Sequence, residues 1–226
     1  MKLTFYGHAT FLVDVQGKKI LFDPFITGNP SAQGIDANSV EADFIFISHG
    51  HADHIGDAVG IAKRTGATCV AAPEVTGWLE KQGVENVLPL NHGGFINFPF
   101  GKVKAVNAIH SSSLPDGSYG GNPLGYIFAT AEGDFYFAGD TALTLDMQLI
   151  PLYTKLSFAI LPIGGHFTMD VTDAIHASGF VKTTKVVGVH YDTFGFIKID
   201  HNDALKQFSD AGITLLLPTP GETIEL

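Results

Sequence analysis

FIFISHGHADH, residues 44–54, is the stretch on which the reading of this chain turns. FIFIS has the unbroken apolar character of a strand buried on both faces of a sheet. It runs straight into His49, His51, Asp53 and His54, four side chains able to hold a metal ion, spaced by Gly50 and Ala52. A helix is expected over 54–65, because Ile55, Ala58, Val59 and Ala62 share one face. Strand, polar loop, helix is the order in which α/β sheets present ligand sites at the carboxyl ends of their strands. Asp53 could instead cap the helix while the histidines decorate a loop. That reading leaves the density of the cluster unexplained.

Upstream, LTFYG, TFLVDV and KKILFDP read as short strands over the first 24 residues, with a hairpin turn at Gln16-Gly17 and a polar loop over 29–42. Downstream, ATCVAA reads as a strand, and Pro73 starts a helix that Gly83 ends. Strands follow at NVLPL, GFINFP, KVKAVNAI, LGYIFATA and DFYFAG. Helices are expected near 143–153, 170–178 and 202–211, and strands at 158–162, 185–189, 213–217 and 222–225. No charged block or long linker divides the chain, so residues 1–226 are expected to form one domain. Two β-rich halves with helices along one side of each imply a sheet-on-sheet α/β sandwich.

Three more metal-competent residues sit where the first four do. His110 follows KVKAVNAI, Asp140 follows DFYFAG and His190 follows KVVGV, so each can reach a common rim. Alone, any of them would be an ordinary surface or capping residue; the repeated placement sets them apart. Imidazole and carboxylate ligands without thiolates suit zinc first, with Mn, Ni or Fe as alternatives. Seven ligands exceed one tetrahedral ion. They suit two divalent ions sharing a carboxylate and a hydroxide.

SHGHADH resembles the His-x-His-x-Asp-His signature of the metallo-β-lactamase superfamily. With GHAT at 7–10, LFDPF at 21–25, AGDT at 138–141 and VHYDTF at 189–194, the whole chain is similar to a family of metal-dependent hydrolases. That family is related to ascorbate-6-phosphate lactonase and to N-acyl-phosphatidylethanolamine phospholipase D. The resemblance implies a four-layer αββα sandwich. It implies His49, His51 and His110 on a first metal, Asp53, His54 and His190 on a second, and Asp140 bridging both. The implied reaction is hydrolysis of a small ester, lactone or phosphoester by a metal-bridging hydroxide, with Asp53 orienting the nucleophile or taking its proton. Alternatives are an iron-dependent oxidoreductase on the same fold and a metal-binding protein without turnover.

Other residues around the cluster are less determined. His8 is read either as a turn histidine or as a partner behind the metals, and Asp23 either as a turn residue or as a carboxylate orienting a ligand histidine. His166, in IGGHFTMD, could meet a leaving-group oxygen, with the amides of Gly164 and Gly165 facing the ligand. The serines of 111–113 lack a nucleophile elbow.

Composition narrows the class. A net charge of -10 disfavours a nucleic-acid partner and leaves a small-molecule substrate. A single cysteine, Cys69, permits no intrachain disulfide and fits a cytoplasmic location. The start lacks a signal-peptide pattern, and no apolar run reaches the roughly 18 residues of a spanning helix, so membrane insertion is not expected. Eighteen phenylalanines could fill a sandwich core or a homo-oligomer interface.

Overall fold

A computed structural model describes residues 1–226. The N-terminal strands β1 (Lys2–Gly7), β2 (Thr10–Val15) and β3 (Lys18–Phe22) form an antiparallel meander. Their alternation buries Leu3, Phe5, Phe11, Val13 and Val15 on one face. Gln16 and Gly17, with φ of 54° and 75°, make the tight turn between β2 and β3, in the left-handed conformation that two-residue hairpins require. The chain then switches to parallel pairing through β4 (Phe44–Phe46), β5 (Thr68–Ala71) and β6 (Val87–Pro89).

The second half repeats this plan. β7 (Ile96–Phe98), β8 (Gly101–Asn107), β9 (Leu124–Ala129) and β10 (Asp134–Phe137) pair antiparallel. β11 (Leu156–Pro162), β12 (Lys185–Val189) and β13 (Thr214–Leu216) continue in parallel. β14 (Thr223–Glu225) crosses back to pair with β1, giving two seven-stranded mixed sheets.

Helices supply the outer layers. On the first sheet lie α1 (Ala52–Ile55), α2 (Ala58–Thr65) and α3 (Pro73–Lys81); α4 (Val171–Val181) and α5 (His201–Asp210) cover the second. The result is the αββα sandwich. Asp170 and Asp200 cap α4 and α5 by accepting from the amides of Asp173 and Asp203. Each such cap stabilises its helix by about 1 kcal/mol.

Phenylalanine fills the space between the sheets. Phe11 stacks on Phe22 at 4.5 Å, Phe22 meets Phe137 edge-on at 5.3 Å, and Phe46 meets Phe128 at 4.9 Å. All are buried. Each ring buried this way stabilises the fold by roughly 1.5–3 kcal/mol. A second core, with Ala174, Ala177, Val181 and Phe208 against Leu161, Val186 and Leu215, joins α4 and α5 to their sheet. No helix is long and apolar enough to cross a membrane.

Two expected helices differ. The one placed at 54–65 starts earlier and is broken at Gly56–Asp57 into α1 and α2. The Asp57 carboxylate accepts from the amides of Ile26 and Thr27, at 2.6 and 2.8 Å, which ties the break to the loop after β3. The segment near 143–153 is a 3-10 turn run over Leu145–Leu152. Pro151 inside it cannot donate to an α-helical ladder.

Candidate metal centre

All the strand ends singled out above open onto one rim. Asp23 follows β3, Ser48 and His49 follow β4, His110 follows β8, Asp140 follows β10 and His190 follows β12. His8 joins them from the β1–β2 turn. Main-chain bonds across the two sheets hold this rim together: His190 N donates to His8 O at 2.8 Å, and Leu124 N to Ser48 O at 2.9 Å. The buried Tyr126 hydroxyl adds a third bond, to Ile47 O at 2.7 Å.

Leaving aside Asp23, whose carboxylate lies close to His49 and His54, the side chains fall into two groups of closely spaced ligand atoms. His49, His51 and His110 form one; Asp53, His54 and His190, with His8 beside them, form the other. Within each group the ligand atoms lie within 4.8 Å of one another. Asp140 stands between the groups. Its Oδ2 is 3.0 Å from His190 Nε2, 3.3 Å from His54 Nε2, 3.6 Å from His110 Nε2 and 4.0 Å from His49 Nε2.

Hydrogen bonds behind the cluster set the imidazole tautomers. Asp23 is fully buried and accepts from Ser48 N, from Ser48 Oγ and from His54 Nδ1, at 2.7, 2.6 and 2.8 Å. Ser48 has one hydroxyl proton, and the ionised carboxylate can only accept, so that proton goes to Asp23. His49 Nδ1, 2.9 Å away, must then donate to Ser48 Oγ. The Nε2 lone pairs of His49 and His54 are thereby turned toward Asp140. Asp23 occupies the orienting position considered for it in the sequence.

His8 is buried and bonded at both ring nitrogens. Nε2 donates to Asp53 Oδ2 at 3.2 Å, and Nδ1 lies 3.0 Å from the Thr193 hydroxyl. Burial pulls its pKa down to about 4 despite the Asp53 bond, so the ring is neutral near pH 7. Asp53 is partly open to solvent. Burial would raise its pKa, but the His8 bond and nearby His54 outweigh that and lower it.

Charge in the cluster is unevenly placed. Burial, with His54 adding to it, pulls the His49 pKa well below the usual imidazole value. For His54 the burial penalty is outweighed by Asp140 and Asp23, which raise its pKa well above that value. Asp140 is likewise buried yet held well below the usual carboxylate range by His190 and His54. The site therefore calls for positive charge at its centre. His54 Nε2, His190 Nδ1 and Asp140 Oδ1 are buried without a hydrogen bond, an arrangement that is costly unless something else engages such atoms. His54 Nε2 and Asp140 Oδ2 face each other at 3.3 Å, where a divalent cation would take the place of a ring proton between them. Imidazoles and carboxylates without thiolate fit a zinc-like divalent ion.

The cluster is packed too tightly for side-chain bulk at certain positions. Gly139 has φ of 61°, and a Cβ there would lie 2.8 Å from both Leu124 O and Ser48 Cβ. Gly164 backs onto His190, whose carbonyl oxygen would lie 2.1 Å from an added Cβ. Gly165 N donates to Met169 O, so this amide closes a turn and does not face a ligand as the sequence had suggested.

In front of the ligands lies a cavity of about 280 Å³ lined by His51, Asp53, His110, Ser111, Asp140, Phe167, His190 and Phe194. His166 is exposed, does not line this cavity, and stacks on Phe196 at 4.9 Å. Sequence reasoning missed Phe167 and Phe194. Phe167 adjoins His166 in the glycine-rich turn and Phe194 ends VHYDTF, but no spacing rule marks an aromatic as part of a cavity wall.

The Beta-lactamase superfamily domain matches residues 18–191. A UPF0173 metal-dependent hydrolase of Flavobacterium johnsoniae is 56% identical over 226 residues, covering 100% of both chains. One of Christiangramia forsetii is 53% identical, again covering 100% of both. Among solved structures, Igni18, a metallo hydrolase of the archaeon Ignicoccus hospitalis, superposes with a TM-score of 0.89 at 36% identity, covering 99% of this chain and 97% of that one.

Proposed function

The chain belongs to the metallo-β-lactamase superfamily, within the UPF0173 metal-dependent hydrolases, and from that premise we propose that it hydrolyses a small-molecule ester, lactone or phosphoester at a centre of two divalent ions. His49, His51 and His110 would hold one ion and Asp53, His54 and His190 the other, with Asp140 available to both. The supporting observation is the position of Asp140 Oδ2, within 4.0 Å of four imidazole nitrogens from three separate segments. Zinc is the first expectation, with Mn, Ni or Fe in its place under other conditions. When bound, such ions supply Lewis acidity to an electrophilic centre and a water nucleophile active near neutral pH.

The protein's own residues do the rest. Asp23 and Ser48 hold His54 and His49 in the tautomers that present Nε2 lone pairs. His8 pins Asp53 at Oδ2, which leaves Oδ1 to contact the second ion and to orient the attacking water. His166, stacked on Phe196, is assigned to the rim and receives a departing group there; no proton transfer is assigned to it. The 226 residues act as one domain, and the single buried Cys69 fits a cytoplasmic location.

Elemental analysis of gently purified protein tests the reading, together with hydrolysis of an ester, lactone and phosphodiester panel before and after chelation. Two ions per chain, chelator-sensitive hydrolysis, and loss of both in Asp140→Asn are expected. Iron accompanied by oxygen consumption would move the reading to redox chemistry. Full metal loading with no hydrolysis would leave a binding protein.

A further inference from the structure

The wall of the cavity opposite the ligands says what sort of substrate fits. Resting on the hydrolase reading above, we infer that the substrate is an uncharged carboxylic ester or lactone carrying an apolar or aromatic group. That group lies against Phe167 and Phe194, and such an ester is preferred over a phosphate ester.

Three observations carry this. First, no lysine or arginine lines the cavity, although the chain has thirteen. Anionic substrates are usually gripped by such side chains, or by free amides at a helix start, through charge-assisted bonds. Beyond the candidate metal ligands, the only polar side chain offered is the Ser111 hydroxyl, which lies 3.4 Å from His51 Nε2. Second, the wall is aromatic and open. Phe167 is 49% exposed and Phe196 72% exposed, with His166 edge-on to the first and stacked on the second. Large apolar rings grouped at the mouth of a polar cleft mark a surface meant to be covered by a ligand. Phe194, only half-buried, continues this surface down to His8, its ring 5.5 Å from the imidazole. Third, the cavity is small. At about 280 Å³ it lies near the lower end of the range for small-molecule sites, roughly 300–1,000 Å³. It admits a compact acyl group and excludes a polymer.

The reaction balances without a further reactant. Water oxygen adds to the carbonyl carbon, and the bond from that carbon to the alkoxy oxygen breaks. One water proton passes to the leaving alcohol. The other is released from the carboxylic acid, leaving a carboxylate. Aromatic contact contributes through the apolar part of the substrate, so selectivity should grow with its size up to the capacity of the cavity.

The test uses the full chain loaded with zinc and a series of p-nitrophenyl esters from acetate to hexanoate, with p-nitrophenyl phosphate and bis(p-nitrophenyl) phosphate beside them. The expected result is a kcat/KM that rises at least tenfold from acetate to hexanoate and exceeds that of either phosphate ester. In the Phe167→Ala, Phe194→Ala double variant the hexanoate-to-acetate ratio should drop about tenfold. Phe167→Leu should retain most of that ratio, which separates loss of apolar contact from misfolding. A flat acyl series, an unchanged ratio in the double variant, absence of ester turnover, or preference for a phosphate ester would each overturn the inference. Phosphate ester turnover abolished by chelation would overturn the substrate class alone and leave the metal-dependent reading standing. Ester turnover indifferent to chelation and to Asp140→Asn would overturn both.

Discussion

His54 Nδ1 lies 2.8 Å from Asp23 Oδ2, and neither side chain has any contact with solvent. A buried carboxylate in that position fixes which ring nitrogen carries the proton, and so fixes which one is left to bind a metal. Asp23 itself is held by a second residue, Ser48, which also accepts from His49. One carboxylate thus orients one imidazole of each ligand group.

The Asp23→Asn variant should therefore bind zinc about 10–100-fold more weakly, in line with losses seen when such outer partners are removed. The amide can turn its NH₂ toward His54, which pushes the ring proton to Nε2, onto the face that should bind metal. Competition against a chromogenic chelator measures this. Wild-type affinity in the variant would remove the orienting role from Asp23.

Gly139 precedes Asp140 in a left-handed conformation, with Leu124 O and Ser48 Cβ in the path of any Cβ. Gly139→Ala should cost about 2–4 kcal/mol of stability, since both the backbone and the packing resist it. Urea denaturation would show a lower midpoint with a similar slope. A midpoint equal to wild type would mean that the rim yields more easily than its geometry implies.

His8 supplies a pH dependence in chelator-treated protein. Its folded pKa, about 4, lies below the unfolded value of about 6.5. The unfolded chain then takes up a proton at this site before the folded one does. Stability is full above pH 6.5 and is lost as pH falls toward 4, by up to about 3 kcal/mol from this residue. The stability curve of His8→Gln should be flatter across that window. Parallel curves for the two proteins would contradict the assignment.

Cys69 lies within β5, and burial pushes its thiol up to about 12. A thiolate-specific reagent at pH 8 should leave the native protein unlabelled and react only as the chain unfolds. Fast labelling without unfolding would show that the strand opens locally.

Much of this arrangement was legible in the sequence because it is local. FIFIS, Pro73, Gln16-Gly17 and the strand-end histidines each announce themselves within a few residues, and the phenylalanine-rich strands found their place between the sheets. The break at Gly56–Asp57 did not, because its cause is a carboxylate reaching two amides at positions 26 and 27. The 3-10 run over 145–152 was read as a helix because apolar spacing outweighed Pro151. The order of strands in the two sheets has no local signature at all. His8 and Asp23 could be named but not given their bonds, since Thr193 reaches His8 only when the halves meet and Ser48 reaches Asp23 only through the pairing of β3 with β4.

That meeting gives the site a timetable. His8, Asp23 and the residues from His49 to His54 belong to the first sheet, whereas His110, Asp140 and His190 belong to the second. A growing polypeptide completes the first ligand group at residue 110 and the second only at residue 190, so capture of the full metal pair closes assembly and does not seed it. Stopped-flow refolding with a zinc indicator should place uptake in the last phase; uptake in the first would reverse that order. The ions would then act as a latch on finished molecules, thrown only after the two sheets have docked.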